Sequence, residues 1–156
     1  MLDFVIVLCA ALLLIVLLYG QHKKKPRLSL ISKACASILF IALALVQPHP
    51  VPSYYYLMLA GLFLGMVGDV CLALPSDKAF TAGLVSFLLG HILYVIAFFS
   101  FVGAAALLNP LTGAFTLYCV GAFIWLRPHL GQMLIPVTAY VIVIGVMMSA
   151  AGAMFW

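Results

Sequence analysis

Charge is what this sequence has least of. Asp, Glu, Lys and Arg make up 6% of its 156 residues, and the acids number only three, where an ordinary soluble domain carries about 25%. Seven basic and three acidic side chains cannot coat a water-facing globule of this size, which excludes a soluble enzyme. Disorder is excluded too, because 68% of the residues are hydrophobic and disordered chains are rich in charge and poor in apolar side chains. Despite a net charge of +4, there is no basic face of the kind nucleic-acid binding needs. Paired cysteines are missing as well. Cys9, Cys35, Cys71 and Cys119 each stand alone in an apolar run, so neither a disulfide framework nor a zinc site is expected. One Asp and one His within the apolar runs fall short of the three or four ligands of a metal site. GxSxG, HExxH and P-loop patterns are absent, and the soluble-enzyme motifs are silent. What remains is an all-α polytopic membrane bundle, with room for six spans of about 20 residues and no separate soluble domain.

The spans can be read from the punctuation. The first run, 4–19, is preceded by Asp3 and closed by Gln21-His22-Lys23-Lys24-Lys25-Pro26-Arg27. A signal peptide has its positive charge in front and a small-residue cleavage site behind, so this run is expected to be an uncleaved anchor. The second, 28–46, stops at Gln47-Pro48-His49-Pro50-Val51-Pro52, which cannot continue a helix. The third covers 54–74 and ends at Pro75-Ser76-Asp77-Lys78; the fourth covers 80–102. After a patternless stretch from Gly103 to Leu108 and Asn109-Pro110, the fifth covers 111–126, and Arg127-Pro128-His129 leads into a sixth over 130–156.

With six spans, Lys23, Lys24, Lys25, Arg27 and Lys33 belong to the first connection, Lys78 to the third and Arg127 to the fifth. All the positive charges then lie on one side, which the positive-inside rule makes cytoplasmic. Both termini face outward, and the expected location is a bacterial cytoplasmic membrane. Tyr54, Tyr55, Tyr56 and Trp156 fall at the outer interface, Tyr19 and Trp125 at the inner one, where amphipathic rings prefer to sit.

Few strongly polar side chains remain inside the spans: Lys33, Asp69 and His91, with Tyr94 and Tyr140 as weaker members. An ionisable group at a helix centre costs about 2.5–3.5 kcal/mol on insertion scales and by default has a function. Asp69 follows Gly61, Gly65 and Gly68 on α-helical spacing, a groove of small residues that lets a neighbouring backbone come close. It sits about 8 Å inside the span at 1.5 Å per residue. Phe80, Gly83, Phe87, His91 and Tyr94 recur at spacings of three and four and share one helix face. Lys33 shares a face with Ser29 and Ser37; it can snorkel to a headgroup phosphate, or pair with Asp69 at similar depth. Pro136, one turn before Tyr140, is expected to kink the sixth span. His22, His49 and His129 are loop residues without an assigned role.

These residues resemble the YhhN/lysoplasmalogenase family of multi-pass membrane proteins. The resemblance rests on Ala60-Gly61-Leu62 through Gly68-Asp69, then Phe80-x-x-Gly83-x-x-x-Phe87-x-x-Gly90-His91-x-x-Tyr94, with Lys33 before them and Pro136-x-x-x-Tyr140-x-x-x-Ile144-x-x-Met147 after. It implies hydrolysis of the vinyl-ether bond of a lysophospholipid, lysoplasmalogen, to a fatty aldehyde and glycerophosphoethanolamine or glycerophosphocholine. It also implies about eight spans, with a second acid in a later pair. The chain is therefore expected to lack the last two helices and to be a fragment or short variant, inactive alone or working as a homo-oligomer with a second copy.

The residues suit that chemistry. A vinyl ether hydrolyses by protonation at carbon, and a carboxylic acid away from water is a fitting proton donor. In this reading Asp69 is the acid, His91 positions the water, Tyr94 or Tyr140 donates a hydrogen bond and Lys33 holds the lipid phosphate; no cofactor is needed. Two other readings remain. Glycine-lined helices with one acid and one histidine suit a proton-coupled carrier, and six spans suit a structural subunit of a larger membrane assembly.

Overall fold

A bilayer core offers the backbone no hydrogen-bond partners, so an apolar run satisfies its own N–H and C=O groups by coiling into a helix. The structure, a computed structural model, describes residues 2–48, 50–103 and 107–154. His49 and Trp156, and with them part of the stretch leading to Asn109, lie outside the described residues. Among the described residues there is no strand, and six α-helices follow one another: α1 (Leu2–His22), α2 (Pro26–Val46), α3 (Pro52–Leu72), α4 (Asp77–Val102), α5 (Pro110–Leu126) and α6 (Leu134–Gly152).

Local chemistry sets their ends. Helices α2, α3 and α5 each open with proline in the first turn, where its fixed φ helps and its missing N–H costs nothing. Helix α5 is also capped by Asn109, whose Oδ1 accepts the Thr112 N–H at 3.1 Å. Helix α4 ends on Gly103, left-handed at φ 73° with its N–H on the Phe99 carbonyl at 2.9 Å. Helix α1 ends the same way on an unusual residue. Lys24 takes φ 52°, the Lys25 N–H reaches the Gly20 carbonyl at 2.8 Å, and the Lys24 N–H reaches that of Gln21 at 3.0 Å. That is a Schellman turn with lysine where glycine is usual.

The sixth run departs from expectation. Two single 3-10 turns, Arg127–His129 and Gly131–Met133, precede α6, which begins at Leu134. Pro136 therefore lies in the first turn of α6 and not in mid-span. The first four N–H groups of a helix have no partner within it, so the proline breaks no hydrogen bond and supplies no kink.

Helices α2, α3, α4, α6 and Val5–His22 of α1 are long and apolar enough to cross a membrane. Helix α5, with 17 residues, is at the short end of the spanning range of about 17–25. The chain is an integral, multi-pass membrane protein.

The helices group into two compact units, residues 1–90 and 91–156, divided within α4. In the first, α1 packs on α2 and α2 on α3; in the second, α5 packs on α6. Burial in both follows membrane logic. Among the described residues the buried positions are small: Gly61, Gly68, Ser32, Ser86, Ala97, Ser149 and Ala150 are examples. Large apolar side chains point outward, with Ile135 82% and Leu117 75% exposed. The aromatic residues Tyr19, Tyr56 and Trp125, near helix ends, are exposed too.

Candidate functional site

The acid comes first. Asp69 stands in the last turn of α3, half-buried, and its Oδ2 lies 2.6 Å from the Ser37 Oγ of α2. Ser37 Oγ also lies 3.1 Å from the Lys33 carbonyl, one turn back on its own helix. A hydroxyl has one proton to give and two lone pairs to offer. When Asp69 is ionised, Ser37 donates to the carboxylate. When Asp69 holds a proton, it can donate to Ser37, which then donates to the Lys33 carbonyl. Ser37 partners Asp69 in both states, and only in the protonated one is its own proton left for the Lys33 carbonyl.

Lys33 is half-buried on α2. The hydrogen-bond partner of Asp69 is the Ser37 hydroxyl rather than the Lys33 ammonium. The spacing Ser29–Lys33–Ser37 marked this face in the sequence; that its serine meets the acid of α3 was not foreseen.

Glycines bring α4 against α3. A Cβ at Gly68 would stand 2.6 Å from the Phe87 ring, so the ring lies directly over the residue before Asp69. A Cβ at Gly83 would come 3.1 Å from the Gly68 carbonyl and 2.9 Å from Leu72 Cγ, and one at Gly90 would come 3.0 Å from the Gly61 carbonyl. The expected small-residue groove is therefore real, and glycines of α4 complete it from the other side. Ser86 of α4 fastens the contact by donating to the Leu64 carbonyl at 2.7 Å.

In the second unit, three of the sequence candidates converge. The His91 ring meets Tyr94, one turn on in α4, at a centroid distance of 6.0 Å and an angle of 70°. It meets Tyr140 of α6 at 5.9 Å and 67°. Both contacts are edge-to-face, the arrangement that aromatic quadrupoles favour. The imidazole is thus held between two phenol-bearing rings, all three half-buried. Among the described residues, no three His, Cys, Asp or Glu side chains gather as metal ligands. All four cysteines are free.

The YhhN family profile matches residues 28–156, which includes every one of these side chains. The chain belongs to the YhhN family. Among curated relatives, the lysoplasmalogenases of Mycobacterium bovis and Mycobacterium tuberculosis are each 33% identical over 125 residues, covering 76% of this chain and 47% of theirs. A lysoplasmalogenase of Rattus norvegicus is 34% identical over 115 residues, covering 73% of this chain and 47% of its own. This YhhN chain thus spans about half the length of the curated relatives it matches. No solved structure matches it.

Proposed function

We propose that the chain hydrolyses the vinyl-ether bond of lysoplasmalogen within the membrane, with Asp69 as the proton donor. The observation that carries this reading is the acid itself: a carboxyl on a membrane-spanning helix, held at 2.6 Å by a hydroxyl from the next helix. Similarity to lysoplasmalogenases supports it from the side of sequence.

The chemistry runs in three steps. Asp69 delivers its proton to the alkene carbon remote from oxygen, and the other alkene carbon becomes an oxocarbenium ion. Water adds to that carbon and loses a proton; the sequence pattern assigns its orientation to His91, with Tyr94 or Tyr140 as hydrogen-bond donor. The resulting hemiacetal breaks its bond to the glycerol oxygen, which takes up a proton, leaving a fatty aldehyde and the glycerophospho-alcohol. Lys33 holds the phosphate of the substrate, and the basic connections face the cytoplasm in accord with the positive-inside rule.

Replacing Asp69→Asn tests the assignment directly. The variant should insert and keep its helical signal by circular dichroism, yet release no aldehyde from lysoplasmalogen in reconstituted vesicles. Aldehyde release at the wild-type rate would refute the role of Asp69.

A further inference from the structure

The densest charge in the molecule is not used by the reaction. Lys23, Lys24, Lys25 and Arg27 place four positive charges within five residues of the α1–α2 turn, and all four side chains are exposed. Among the described residues none of them forms an ion pair. The turn also has shape. Gly20, Gln21, Lys24, Lys25, Pro26 and Ser29 line a cleft of about 420 Å3. Two of the lining residues are lysines, and Gln21 and Ser29 add an amide and a hydroxyl, so the residue types around the cleft can supply hydrogen-bond donors to a tetrahedral oxyanion.

The backbone of the turn is unusual as well. Lys24 occupies the left-handed position of the Schellman turn at φ 52°, a conformation that glycine adopts without strain and that lysine does not. The cleft lies where α1 leaves and α2 enters the apolar layer, so an anion seated there is at the level of lipid headgroups. Exposed Leu18 and Ile31 flank the turn on the two helices and offer apolar surface to acyl chains.

We propose that this turn binds the phosphate of an anionic phospholipid, seated in the cleft between Lys24 and Lys25. Clusters of four or more Lys and Arg beside a membrane helix attract anionic lipid by about fivefold in affinity per charge. The site is separate from the hydrolase reading and does not depend on it.

The test uses the full chain in nonionic detergent, titrated with phosphatidylglycerol, with phosphatidylcholine or with inorganic phosphate, and followed by its thermal unfolding midpoint. Phosphatidylglycerol should raise the midpoint in a saturable way, and raised salt should weaken the effect. Phosphatidylcholine should not reproduce it. Lys25→Gln should weaken the apparent affinity about fivefold. Lys24→Gly should do the same while raising the lipid-free midpoint, because it removes a charge and relieves the backbone together. Lys78→Gln, which removes an exposed cation from the start of α4, should change neither. A rise in midpoint with Lys24→Gly without loss of affinity would overturn the proposal, since the turn would then be structural only. An equal response to phosphatidylcholine, or to inorganic phosphate alone, would overturn the assignment to an anionic lipid.

Discussion

Ser37 is an ordinary residue in an important place. Its hydroxyl is the hydrogen-bond partner of Asp69, and removing it leaves a half-buried carboxyl without that bond. Ser37→Ala should destabilise the protein by about 1–2 kcal/mol and slow aldehyde release, while Ser37→Thr, which keeps the hydroxyl, should restore both; unfolding midpoints and initial rates measure the two effects. His91 admits a cleaner separation of packing from chemistry. His91→Phe retains a ring against Tyr94 and Tyr140, so the edge-to-face packing should persist and the variant should still fold, which its unfolding midpoint checks. It removes both ring nitrogens, and if they position water the rate should fall by about 100-fold. An unchanged rate would assign the histidine to packing alone. At this scale the sequence was informative where a polar group had no ordinary reason to be in the membrane: Asp69, His91 and Lys33 stood out on that ground. Ser37 did not, because a serine can satisfy itself on the carbonyl one turn back and so needs no special explanation.

The helices themselves were legible as apolar runs, but their ends were not. Hydropathy starts the second, third and fifth spans at 28, 54 and 111, whereas the helices start at Pro26, Pro52 and Pro110. Hydropathy reports where lipid contact begins; the helix begins where proline fits, one or two residues earlier. The same distinction moves Pro136 from mid-span to a first turn. Close helix contact, by comparison, was written in the glycines, although which glycine meets what needed coordinates. Gly83 and Gly90 face backbone carbonyls at 3.1 and 3.0 Å from an added Cβ, and a backbone has little freedom to yield. Gly83→Ala or Gly90→Ala should therefore cost about 1–3 kcal/mol. Gly121, with nothing within 4 Å of its Cβ position, should gain up to about 1 kcal/mol as alanine from helix propensity. Thermal unfolding of the three variants side by side checks the contrast.

Across the whole molecule, membrane residence was evident from composition, while helix orientation about each axis was not. Every helix is apolar around most of its circumference, so hydrophobicity alone cannot say which side turns inward; the small and polar residues carry that information. The positive charges are expected to carry the topology. In a background without the four native cysteines, a membrane-impermeant maleimide should label Ser53→Cys from the outside of intact cells and Ser76→Cys only after permeabilisation, because α3 separates them and the basic connections are expected inside. Labelling of both from one side would overturn that topology. The burial pattern has a further implication. With glycine, serine and alanine within and leucine, isoleucine and phenylalanine without, bulk is cheap at the periphery and forbidden at the centre. The hydrocarbon rim can be rewritten with other greasy side chains at little cost, whereas a methyl group added at Gly68, Gly83 or Gly90 meets the neighbouring helix closer than side-chain atoms ordinarily approach.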